Sequence, residues 1–99
     1  MYIGTQQIDI YLPGVRSLKE KRKYISSLKT RLGRSLNVAA AETGSQELLQ
    51  RSLIGICAVS SDRETLEKVF IKIGDILKRY PQISFTGEEV QVEKKNQKD

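Results

Sequence analysis

Ser52-Leu53-Ile54-Gly55-Ile56-Cys57-Ala58-Val59 is the stretch whose reading decides the fold. Leu53, Cys57 and Val59 alternate with Ile54, Ile56 and Ala58, so a strand over residues 52–59 is apolar on both sides. A strand with one wet face keeps polar residues there, so this pattern marks an interior strand covered twice.

Working outward, both flanks carry helix signals. Upstream, Ser17-Leu18-Lys19-Glu20 is a capping box, in which the serine oxygen accepts from a free helix N–H and the glutamate reaches back to the cap. A helix is expected over residues 18–32. Leu18, Ile25, Leu28 and Leu32 form one apolar stripe that includes the stem of Lys21, and Gly33 is the expected stop. Downstream, Ser61-Asp62-Arg63-Glu64 repeats the box; Leu66, Val69, Phe70, Ile73, Ile76, Leu77 and Tyr80 follow at helical spacing, and Pro81 ends the run.

The remaining segments read as strands. In residues 2–12, Ile8, Ile10 and Leu12 alternate with polar neighbours before Pro13-Gly14 breaks the strand. Residues 36–41 form a short strand of small side chains, joined to 52–59 by a hairpin connection across which Glu42 and Arg51 are expected to face each other. Ile83 and Phe85 begin a last strand, and the apolar parity shifts to Val90 and Val92 beyond Gly87, as a bulge or turn would produce. The order is βαββαβ. Right-handed crossovers then give an α+β, ferredoxin-like sandwich: a four-stranded antiparallel sheet, first and third strands central, with two helices on one face. Residues 1–92 are expected to form one domain and 93–99 a disordered tail. A second copy covering the open sheet face would explain the apolar far side of residues 52–59, so a homodimer is expected, with Cys57 as a packed thiol.

The charge is concentrated. The chain carries 17 Lys and Arg against 12 Asp and Glu, a net of +5. Arg16 to Arg34 hold eight cations and one acid, Glu20, giving +7, while the rest holds nine cations and eleven acids. A helix N-terminus disfavours cations, yet Arg16, Lys19, Lys21, Arg22 and Lys23 crowd this one; a bound anion would reverse the sign of that effect. These five residues, with Arg51 nearby, are the candidate phosphate-binding set, Lys21 reaching the loop–helix junction if it does not simply snorkel to water. Other classes recede. There is no histidine, which removes the usual general base and most zinc sites, and one cysteine excludes an internal disulfide. No apolar run approaches the ~20 residues of a membrane span, and the first residues read as strand rather than as a cleavable leader. A cytoplasmic protein without metal, cofactor or catalytic residue is expected. Residues 52–59 carry no aromatic ring, so the base-stacking sheet face of RNA-recognition motifs is not expected.

Ser17-Leu18-Lys19-Glu20-Lys21-Arg22, Asn37-Val38, Ala41-Glu42, the run Leu48 to Gly55 and Val59-Ser60 resemble the small bacterial YlxP-like family over about residues 2–92. The resemblance implies a ferredoxin-like fold, no established enzymatic activity, and genes beside transcription and translation factors, hence RNA or ribosome association. The chain departs from the family pattern at Leu49, where tryptophan is common, and around Thr43-Gly44-Ser45. The expected function is thus a non-enzymatic basic module binding RNA or the ribosome through the N-terminal part of the first helix. The alternatives are a protein-binding dimerisation module, or an acylphosphatase-like enzyme using the loop Pro13-Gly14-Val15-Arg16.

Overall fold

The computed structural model describes residues 1–96. Its elements are β1 (Tyr2–Tyr11), α1 (Leu18–Ser35), β2 (Ala39–Gly44), β3 (Arg51–Ser60), α2 (Arg63–Leu77), β4 (Ser84–Gly87) and β5 (Gln91–Lys94). The sheet order is β2-β3-β1-β4 with β5 also on β1, and all pairings are antiparallel. The architecture is therefore the expected α+β, ferredoxin-like sandwich with β1 and β3 at its centre. The ten-residue register of β1 with β3, from Tyr2 opposite Ser60 to Tyr11 opposite Arg51, is its spine.

Alternation along these two strands separates the faces. Ile8 and Ile10 of β1 and Ser52, Ile54, Ile56 and Ala58 of β3 are buried under the helices, where they meet Ile25, Leu28 and Leu32 of α1 and Leu66, Phe70, Ile73, Ile76 and Leu77 of α2. Gly4 permits the closest approach of β1 to α2: a Cβ there would lie 2.6 Å from the Phe70 ring and 3.1 Å from Leu66. On the opposite face Leu53 and Gly55 are half-buried, whereas Cys57 and Val59 are exposed, Val59 at 55%. No described element of the chain covers that side. Cys57 is accordingly a surface thiol rather than a packed one.

Several boundaries differ from the sequence reading. α1 runs past Gly33 to Ser35, because Gly33 keeps helical backbone and the extended Leu36 supplies the cap, its amide donating to Leu32. A tight turn from Leu36 to Val38 follows and moves β2 three residues downstream of expectation. The second capping residue is Asp62 and not Ser61: its carboxylate accepts from the Glu64 amide and from Thr65 Oγ1. Those two bonds lower its pKa below the ordinary 3.8. The last strand is one edge strand in two pieces. Residues 88–90 form an arch one residue longer than the Gln6-Gln7 stretch it faces, where the parity shift was read; Val90 packs against the core, and Gln6 and Gln7 hold the arch through bonds to the Glu88 carbonyl and carboxylate. β5 continues to Lys94, two residues into the expected tail, and the Lys95 amide still donates to Met1. Residues 97–99 of that tail lie outside the described residues.

Candidate functional site

α1 is long enough to show two different sides. Its 18 residues span about 27 Å at 1.5 Å per residue. Every third or fourth position from Lys21 to Leu32 enters the core; the opposite side carries Lys19, Arg22, Lys23, Ser26, Ser27, Thr30, Arg31, Arg34 and Ser35, which together line a shallow groove along the helix. Five cations thus share one face, separated by short hydroxyl side chains that leave room between them. Among the described residues no carboxylate lies within ion-pair distance of any of the five. The one acid of this segment, Glu20, is engaged elsewhere, accepting from the Arg16 amide at 3.3 Å.

The structure brings together only part of the candidate set. Lys19, Arg22 and Lys23 stand in the groove, and Arg16 is exposed ahead of the cap. The helix end itself is closed by its own side chain, Ser17 Oγ accepting from the Glu20 amide at 3.1 Å. The cationic surface therefore extends along the whole helix instead of converging on its first turn.

Lys21 is a correction. Its side chain is buried, 1% of the residue being exposed, and cannot reach phosphate. Its ammonium donates to the carbonyls of Ser45 and Leu48, both at 2.6 Å, and more distantly to Gln46 at 3.4 Å, and it pairs with Glu42 Oε2 at 3.0 Å. The Ser52 hydroxyl donates to the same carboxylate oxygen at 2.6 Å. Burial alone would raise the Glu42 pKa, but the Ser52 and Lys21 hydrogen bonds, the Lys21 charge and the more distant Lys29 overcome it, holding the carboxyl below the ordinary value of 4.5. A buried charge persists only when paired and hydrogen-bonded, and this one is both. Lys21 fastens the loop between β2 and β3 onto α1.

Arg51 is a second correction. It does not face Glu42, because the register that runs unbroken from Ala39 opposite Cys57 sets Glu42 opposite Ile54, and Arg51 lies beyond the end of that pairing, opposite Tyr11 of β1. Arg51 points to the open face, away from α1, where it pairs loosely with Asp9 at 3.5 Å and lies 5.5 Å from the Tyr11 ring centroid.

Arg31 and Arg34 belong to the groove and were absent from the candidate set. The 3.6-residue period places them below Lys23 and Ser27, so the helical face could have been read out to Ser35. Non-local neighbours could not. Tyr80, from the segment after α2, lies 6.1 Å from the Tyr24 ring, and Arg31 covers it at 5.3 Å. Burial, and then Tyr80, raise the Tyr24 phenol above its ordinary value of 10.0, so it remains a neutral hydroxyl.

Among the described residues no three of His, Cys, Asp and Glu come together as a metal-ligand group, and no helix is long and apolar enough to cross a membrane. Residues 3–90 match the family described as a protein of unknown function, DUF503. The uncharacterized protein YlxP of Bacillus subtilis (strain 168) is 34% identical over 84 residues, which cover 85% of this chain and 91% of that protein. A de novo designed protein, Foldit4, shares 15% identity and superposes with a TM-score of 0.55 over 97% of this chain and 100% of its own. That last likeness concerns the fold alone.

Proposed function

Starting from a chain that belongs to the DUF503 family, a family of unknown function, we propose that it is a non-enzymatic binding module for RNA, free or within the ribosome, and that α1 is the contact surface. One observation carries the reading: Lys19, Arg22, Lys23, Arg31 and Arg34 share a face on which no described carboxylate neutralises them. Unpaired cations on one helix repel each other, and a polyanion turns that repulsion into attraction while releasing its condensed counterions. Ser26, Ser27 and Thr30 add hydroxyl donors for phosphate oxygens between the cations. Such contacts position a nucleic acid and carry little sequence information by themselves. Arg16 lies at the upper end of the same helix and extends the field.

The test is binding of labelled RNA by fluorescence anisotropy across a salt series, with the triple reversal K19E/R22E/K23E as the comparison. Five phosphate contacts to a single strand give a slope of about −3.5 in log K against log salt. The triple variant should lose binding while keeping its thermal transition. A salt-insensitive complex, or undiminished affinity in the triple variant, refutes the proposal. Sedimentation of extract at low and high salt then shows whether the RNA is ribosomal.

A second reading, a homodimer through the open sheet face, draws on Val59 at 55% exposure beside exposed Cys57 and half-buried Leu53. Light scattering of the wild type and of Val59→Lys decides it: a dimer that the substitution dissociates supports it, and a monomeric wild type removes it.

A further inference from the structure

The groove is not bordered by charge alone. Tyr24 follows Lys23 on α1, and Ser27 and Arg31 continue the same flank on the next two turns. This flank meets the segment leaving α2. There Tyr80 is held by its amide, which donates to the Leu77 carbonyl at 3.1 Å. The Arg31 guanidinium lies 5.3 Å from the Tyr80 ring centroid, with its Nη1 3.5 Å from the phenol oxygen. The Tyr24 ring stands 6.1 Å from Tyr80 at an interplanar angle of 58°, and its hydroxyl donates to Gln82 Oε1 at 3.4 Å. Both rings are only half-buried. Two aromatic rings and a planar cation therefore form a cluster at the groove's edge, with Arg31 belonging to both.

As a simple latch between the helices this cluster is an odd choice. Aliphatic side chains already join α1 and α2 to one core, and the long 3.5 Å bond from Arg31 Nη1 to the Tyr80 phenol engages one of the five guanidinium N–H groups. Arg31 is better explained by what its geometry offers. A guanidinium lying over a ring still has an outer planar face for stacking and edge N–H groups for phosphate, which lysine lacks. Nucleic acids differ in what they can present to such a group. A duplex offers phosphates while its bases stay paired and stacked; an unpaired strand offers a phosphate and a free base within one nucleotide.

We propose that Arg31, Tyr80 and Tyr24 form a nucleobase platform beside the phosphate groove, and that the ligand of this face is single-stranded RNA. An unpaired base stacks on the outer face of the Arg31 guanidinium and extends the Tyr80–Arg31 pair, while neighbouring phosphates lie along Lys23, Arg22 and Lys19. This inference rests on the reading of α1 as the phosphate-binding face and adds which form of RNA it selects. It also moves base contact from the sheet, where related folds place their aromatics, to the helical side.

Three probes of equal length separate the possibilities: a twelve-nucleotide RNA without self-complementarity, the same strand annealed to its complement, and a strand whose central residues are abasic. The single strand should bind at least tenfold more tightly than either the duplex or the abasic strand. The chain has no tryptophan, so stacking should also quench its tyrosine emission, and the duplex should not. Arg31→Lys keeps the charge and loses the plane; it should cost the single strand fivefold or more and leave the duplex within twofold. Tyr80→Phe keeps the ring and should retain the preference, which guards against a fold defect in Tyr80→Leu, where the preference should vanish. Equal affinity for all three probes, lost in K19E/R22E/K23E, overturns the platform and leaves the groove standing. An unchanged strand-to-duplex ratio in Arg31→Lys also overturns it. If none of the probes binds at low salt, both the groove and the platform are refuted.

Discussion

The two helices pack side by side on one face of the same sheet and are built to opposite electrostatic plans. α2 begins with Asp62 as its cap and Glu64 in its first turn, and it links two of its cations to acids one turn away, Arg63 to Glu67 at 2.9 Å and Lys68 to Glu64 at 3.4 Å. α1 shows none of this on its outer face, where five cations stand among hydroxyls. Its ion pair is on the inside instead, between Lys21 and Glu42. Each helix buries one face in the same core, α1 through Ile25, Leu28 and Leu32 with Lys21 and α2 through five apolar side chains, and the outer faces are free to differ. A binding role for the outside of α1, as proposed above, would account for that difference.

The contrast can be broken most severely from the inside. Lys21→Met keeps the packed stem and removes the ammonium, leaving the carbonyls of Ser45 and Leu48 without their donor and the Glu42 carboxylate with the Ser52 hydroxyl in place of a counter-charge. Urea unfolding should register a loss of about 3–5 kcal/mol. The folded fraction should still bind RNA, since Lys21 is not in the groove. A loss under ~1 kcal/mol would mean that desolvation of the pair cancels its attraction.

Acid strains the same knot without mutation. Because the folded pKa of Glu42 is depressed, its contribution is complete above the ordinary value of 4.5 and disappears as pH falls through the folded pKa. Melting temperatures between pH 7 and pH 3 should therefore fall at the acid end. Glu42→Gln should flatten that part of the profile, starting from a lower stability at neutral pH.

A milder change makes α1 resemble α2. Ser27→Glu places a carboxylate four residues from both Lys23 and Arg31. Two such pairs should stabilise the helix by about 0.3–0.5 kcal/mol each. RNA affinity should drop roughly tenfold, or about 1.4 kcal/mol. Stability and binding moving in opposite directions is the signature sought; a joint loss would point to a damaged helix.

The smallest effect belongs to the helix already balanced. Glu67→Gln removes the partner of Arg63 between two exposed side chains, and denaturant midpoints should shift by no more than about 0.5 kcal/mol, less in high salt.

What the sequence disclosed follows the range of the forces involved. Periodicity and capping residues are local, so the βαββαβ order, the central place of residues 52–59 and the apolar stripe of α1 were all readable, and Lys21 was already seen to sit on that stripe. Its acceptors were not readable, because they come from Ser45, Leu48 and Glu42, 21 to 27 residues away along the chain. The supposed Glu42–Arg51 pair failed for a related reason: the register of β2 on β3 is set by pairings along the whole hairpin, and it places Glu42 opposite Ile54, three residues from Arg51. Arg31 and Arg34 follow the same helical period as Lys23 and Ser27, so their place on the outer face is local information too, although the clash of cations with a helix N-terminus singles out only the first turns. Asp62 and Ser61 are adjacent side chains of equal capping ability, and only the backbone decides between them. The Tyr24–Tyr80 contact joins α1 to the segment after α2, 56 residues on, and no local pattern announces it.

The arch at residues 88–90 has a consequence for solubility. An unbroken outer strand would offer a long row of unpaired amides and carbonyls, the template on which sheets of different molecules fuse. Here that border is cut into two four-residue pieces, with Glu88 folded back onto Gln7 and Glu89 exposed between them. Runaway stacking of molecules along this rim is thereby discouraged, and the other rim, Ala39–Gly44, is left as the place where any such growth would have to begin.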